Sequence, residues 1–232
     1  MTGNDKAVEP ALRSGLWPRK LALSWPARNR ERSGRRVTAD TERVAFIRTL
    51  ESMAAFITAM EADFHANKLD HLGQVNRINS SFANLLSSAG NAGDVGLMIS
   101  HRTRGLEDCL FDLSNAVQEK AERRIAFSNQ ANDEFESLCR QSGTFVKTSI
   151  DFLQTDNPVL LTWLDNKQKD CDKICDECAS SHEERLIEGI CTPSASMIYL
   201  DMLHSFKGIH SHMVHIVRLF AGLCGINEAG YS

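Results

Sequence analysis

A chain of 232 residues that is 42% hydrophobic, 24% charged and formally −4 is long enough to bury a sizeable core and too apolar to stay unfolded. Aromatic residues make up only 7% and Gly and Pro together number 19, which is lean for a turn-rich β-sandwich. The longest uncharged stretch, Ile78 to Gly93, has 16 residues crowded with Ser, Asn and Gly, short of the ~20 apolar residues of a membrane-spanning helix.

Charge is uneven along the chain. Residues 1–40 carry nine Lys or Arg against four Asp or Glu, a balance of +5, and the remainder balances at −9. An acidic body argues against binding to a phosphate backbone, so no nucleic-acid partner is expected. The segment PRKLALSWPARNRERSGRR has no apolar period, and residues 1–38 read as a basic, disordered arm. The opening MTGNDKAVEP carries early acids with no apolar stretch behind it, so export is not expected. The seven cysteines then read as reduced thiols, and the cytoplasm is the expected location.

From Thr38 the apolar residues recur every three or four positions, the period of an amphipathic helix. Thr38 is placed as the N-cap of a first helix whose stripe is Val44, Ile47, Leu50, Ala54, Ile57, Met60 and Phe64. A second helix is expected over about 69–100, with a close helix approach or a local irregularity where Gly90, Gly93 and Gly96 cluster. The third stripe runs from Leu106 through Ile125 and Phe135 to Leu153, ending at Asn157-Pro158. Asn157-Pro158 and Thr192-Pro193 open the fourth and fifth helices, with a stop near Gly189 between them. The expectation is an all-α antiparallel bundle of about five long helices over residues 39–224, with a short tail at 225–232.

Three constellations have the residue types of chemistry. Cys171, Cys175, Cys178 and His182 lie on one helical face, which core packing explains; a metal site on this face is the alternative. His204, His210, His212 and His215 read as partly exposed helix histidines, since no carboxylate shares their face. The acid pairs Asp108/Asp112, Asp172/Asp176 and Glu184/Glu188 read as solvated helix faces. HEERL at His182 has Leu186 where a zinc protease needs its second His, and no P-loop, GxGxxG or GxSxG occurs. No catalytic residue and no cofactor are expected.

Residues 182–213, HEERLIEGICTPSASMIYLDMLHSFKGIHSHM, resemble the end of a PhoU-like domain, and more narrowly the cytosolic C-terminal module of bacterial sodium/phosphate cotransporters. The likeness rests on His182, Arg185-Leu186, the run Tyr199 to Leu203, and Ile209, Ser211 and His212; it departs at Ser205, Phe206, Gly208 and His210. The resemblance implies repeated three-helix bundles, each with an E-x-x-x-D pair that binds iron or zinc clusters in some members. In the corresponding places this chain keeps Asp94 but has Gly90, and has Lys207 and Ser211 for the second pair. With most of those carboxylates missing, the family's metal cluster is not expected. Two full repeats would give six helices, against the five counted here. The resemblance implies regulation of phosphate homeostasis by protein–protein contact, with no transport by this chain itself. The implied partner is a membrane phosphate transporter or a phosphate-signalling protein, reached at the cytoplasmic face of the membrane; a homo-oligomer is left open. Asp94, Lys207, Ser211 and His212 are the implied contact positions. A scaffold unrelated to phosphate is the remaining alternative.

Overall fold

The computed structural model describes residues 33–89 and 93–226, with side chains from Asp40 onward. These residues form six α-helices: α1 (Ser33–Ala66), α2 (Val75–Ala89), α3 (Gly93–Glu122), α4 (Asn129–Thr155), α5 (Pro158–Ile187) and α6 (Pro193–Leu223). A 3₁₀ turn at Asp70–Gln74 leads into α2. No strand occurs among the described residues, so the fold is the all-α bundle that the apolar period implies. No helix among them is long and apolar enough to cross a membrane. Of the arm expected over residues 1–38, residues 1–32 lie outside the described residues and 33–38 belong to α1; of the tail expected at 225–232, residues 227–232 lie outside them.

Three expected boundaries need correction. Thr38 does not cap the first helix, because α1 begins at Ser33 and runs through it. The expected second helix is two, α2 ending at Ala89 and α3 beginning at Gly93, whose φ of +66° is a conformation that glycine adopts freely. The long third stripe also divides. Arg124 takes φ +51°, and the Ser128 hydroxyl accepts from the Ala131 N–H at 3.2 Å, starting α4 with a side-chain cap. Six helices therefore replace the expected five. The Asn157-Pro158 start is as expected, with Asn157 Oδ1 accepting from Val159 N at 3.0 Å. Helix α6 also starts at Pro193, though the Thr192 side chain makes no capping bond.

Contacts between helices give their directions. Thr49 and Ser52 of α1 meet Ser81 of α2, whereas Phe56 and Phe64 of α1 meet Phe111 and Lys120 of α3. With Asp63 near the end of α1 bonded to His71 just before α2, α1 therefore runs antiparallel to α2 and parallel to α3. Along α5 and α6, the pairs Asp165–Arg218 and Asp176–Lys207 run in opposite order. Glu134–Tyr199 and Ser142–His210 ascend together, so α4 and α6 are parallel. The result is an up-and-down bundle with α6 at its centre.

One apolar core fills the bundle. It includes the stacked pairs Phe64–Phe135 (ring centroids 3.9 Å) and Phe46–Phe220 (5.7 Å). At two places a glycine of one of helices α3 and α6 packs against a side chain of the other. A Cβ on Gly105 would run into the His212 ring, and one on Gly208 would run into Cys109 Sγ. Only glycine leaves room for those two side chains.

Candidate functional site

The cysteine face is internal. Cys171, Cys175 and Cys178 are 1%, 1% and 8% exposed and His182 is 2% exposed, all belonging to α5. Cys171 and Cys175 bring their sulfurs to 3.9 Å, and His182 Nε2 is already bonded to Ser196 Oγ at 2.6 Å. The hydrogen bond with Cys171, followed by burial, pushes the Cys175 thiol far up. Burial pushes Cys178 up to about 11, so both stay protonated at neutral pH, whereas soft metals bind thiolates. Among the described residues no group of three or more His, Cys, Asp or Glu side chains is placed to hold a metal ion. All seven cysteines are free thiols.

Next to this face lies a polar cluster that joins three helices. Arg185 donates to both carboxylate oxygens of Glu134, at 3.2 and 3.0 Å, and the Tyr199 hydroxyl donates to Glu134 Oε2. The geometry is the bidentate fork that guanidinium and carboxylate favour, and it ties α4, α5 and α6 together at one end. Burial, then the neighbouring Arg185 charge, lowers the His182 proton affinity, with Glu134 opposing. Burial and the bond to Glu134 raise Tyr199. At the same end Phe127 stands edge-on to both Tyr199 and Phe64. Lys120, 5% exposed, places Nζ 4.4 Å from the Phe64 ring centroid. It donates to Phe64 O at 2.8 Å and to Asn67 Oδ1 at 2.7 Å, closing off the last turn of α1.

A third arrangement has the residue types of a hydrolase. Ser114 Oγ lies 3.0 Å from His71 Nε2, and His71 Nδ1 lies 2.6 Å from Asp63 Oδ2. A working nucleophile needs a substrate beside the serine. Here Ser114, His71 and Asp63 are 2%, 0% and 3% exposed, and Asp63 Oδ2 also accepts the His71 backbone N–H at 2.6 Å. The chain of bonds joins the 3₁₀ turn to α1 and α3, and its chemistry is sealed. Sequence spacing hides it, because the three residues come from three elements.

The expected contact positions are at the surface in two places. Asp94 is exposed at the start of α3. Lys207 and Ser211 are half-buried on α6, with Lys207 Nζ paired to Asp176 Oδ1 at 2.8 Å. His212 turns toward α3, its ring against Gly105. The facing pairs Gly105/His212 and Cys109/Gly208 set an antiparallel register, in which Asp94 lies about three turns from the level of His212. The four positions therefore do not form one patch. His210 departs from the expected partial exposure. It is 1% exposed, stacked on Phe145 at 4.6 Å, with Nε2 at 2.9 Å from Ser142 Oγ. Of the six residues in the acid pairs, only Asp172 is not fully exposed.

The outward face of α6 is amphipathic. Met197, Leu200, His204, Lys207 and Ser211 follow one another at helical spacing. Met197 and Leu200 are 66% and 43% exposed, and the preceding turn adds Ile187 and Ile190 at 80% and 61%. Two clefts open on the surface, one lined by Thr58, Glu61, Ala62, His65 and Glu136, the other running along the outer face of α5. No known protein family, no curated protein and no solved structure matches this chain.

Proposed function

We propose that this chain is a PhoU-like helical module that regulates phosphate uptake, or reports phosphate status, by docking onto a membrane phosphate transporter or a phosphate-signalling protein. It neither transports nor catalyses on its own. Docking acts by population shift, favouring the partner conformation that makes the better contacts. The observation that carries this reading is the division of the molecule's chemistry. The clustered titratable groups (Glu134, Arg185 and Tyr199; Asp63, His71 and Ser114) are used up in ties between helices. The α6 face stays open, with exposed apolar residues running into Lys207 and Ser211; Leu97 and Met98 on α3 and Val159 on α5 are exposed as well. Exposed apolar side chains grouped beside polar ones mark contact surfaces. Six helices, three on each side of the 123–128 turn, also support a layout of two three-helix repeats.

The test is a photo-crosslinking residue placed at the exposed His204 in the full chain, in cells of the source organism. The proposal predicts a crosslinked membrane transporter or phosphate-signalling protein, lost when Leu200→Asp is added. A crosslink only to a second copy of the chain, or to a partner with no phosphate connection, supports the scaffold alternative instead.

A further inference from the structure

Where α3 crosses α6, four basic side chains gather with little to neutralise them. The register set by Gly105/His212 and Gly208/Cys109 places His101 and Arg102, one turn before Gly105, level with His215, one turn after His212. Arg102 has no carboxylate partner among the described residues, whereas the next arginine, Arg104, lies within electrostatic reach of Glu107. His215 donates Nδ1–H to Ser211 O at 2.7 Å, which fixes its ring and leaves Nε2 for another partner. His212 is pinned against Gly105, with its Nδ1 buried and without a hydrogen-bond partner among the described residues. His101 is exposed, and the other three are half-buried.

We propose that this crossing is a binding site for a small doubly charged oxyanion, held by Arg102 and by the imidazoles of His101, His212 and His215. Arg102 supplies a permanent charge and a planar set of donors suited to an oxyanion. The imidazoles place ring N–H donors beside it. Burial lowers the proton affinity of His212, and Arg102, His215 and His101 lower it further; Asp108, exposed on α3, is the opposing group. An anion among them relieves that repulsion, so binding of one that keeps both charges, such as sulfate, takes up protons and tightens as pH falls. The site adjoins the far end of the outward face of α6, where His215 lies one turn beyond Ser211, and it does not depend on the transporter reading. A chain that docks without phosphate chemistry would still carry it.

The test is a titration of the full chain at pH 6 with sulfate, which is doubly charged there, and with inorganic phosphate, which is mostly singly charged and should bind more weakly, at constant ionic strength, followed by the ring ¹⁵N signals of the histidines. The expected result is saturable shifts of His212 and His215 with half-saturation at or below about 10 mM at low salt, where exposed charges are least screened. Phosphate should raise the apparent pKa of His212. R102Q should weaken binding at least about tenfold, while H101Q, at an exposed position, should weaken it less. Shifts that rise linearly without saturation, or saturable shifts unchanged in both R102Q and H101Q, overturn the site. His101 is exposed and Arg102 half-buried, and unchanged far-ultraviolet circular dichroism in both variants shows that the bundle is intact.

Discussion

Arg185 on α5 holds Glu134 on α4 by both oxygens, at 3.2 and 3.0 Å, with side chains only 7% and 15% exposed. Removing one partner leaves the other charge buried and uncompensated, which costs about 3–5 kcal/mol. R185M should therefore be strongly destabilising in urea denaturation. R185M/E134L, which removes both charges, should recover part of that loss. A double variant less stable than R185M would show that the pair does not act as a unit. Tyr199→Phe deletes a hydrogen bond to the same carboxylate and should cost about 1.5–3 kcal/mol.

His210 sets an acid limit on stability. Burial lowers its pKa from 6.5 to about 4, so the folded chain keeps it neutral where the unfolded chain protonates it. Its contribution is therefore fully present above pH 6.5 and is lost as pH falls toward 4. A gap of that size corresponds to about 3 kcal/mol. Denaturation midpoints between pH 7 and pH 4 should show this loss in the wild type. In H210Q, which can still bond to Ser142, the loss should be smaller by most of that amount. His182, lowered in the same direction, leaves a weaker slope behind.

Glu42 works in the opposite sense. It is 1% exposed, and neither carboxylate oxygen has a hydrogen-bond partner among the described residues. Burial raises its pKa above 4.5, so its stability contribution is complete below that value and is lost as pH rises through the folded pKa. Glu42→Met should stabilise the chain by about 1 kcal/mol or more at pH 7, with a smaller gain at pH 4.5. Calorimetry at the two pH values checks both size and sign. A destabilised E42M at pH 7 would mean that the carboxylate has a favourable partner.

The α3–α6 crossing tolerates no added carbon at Gly208. G208A drives a methyl into Cys109 Sγ and should cost about 1–3 kcal/mol. In the C109A background the sulfur is gone, and the same substitution should cost much less. The coupling in that double-mutant cycle measures the contact directly.

Much of the fold could be read from periodicity. The Asn157-Pro158 and Thr192-Pro193 starts coincide with those of α5 and α6, because a cap followed by proline acts locally. The α3–α4 break was hidden because Ile125 and Phe127 continue the apolar stripe through the turn, packing on the core from outside a helix. Its local signal was the Ser128 cap. The polar clusters were less legible. Glu134, Arg185 and Tyr199 come from three helices, and nothing in the spacing of any one of them brings them together. The cysteine face was visible as a face, but only packing shows that it points inward. His210 was read as partly exposed because helical spacing does not say which neighbours a face meets; here it meets Phe145 and Ser142.

The most direct test of the docking account is phosphate uptake by cells that lack the chain and carry it back as wild type, as Leu200→Asp/Lys207→Glu, or as C109A, at equal protein levels. Leu200 is exposed on the outward face of α6 and Lys207 is half-buried there, whereas Cys109 faces the interior of the α3–α6 crossing. The account predicts that the α6 double variant behaves like the deletion and that C109A behaves like the wild type. Uptake or its regulation that is the same in all four strains would contradict it.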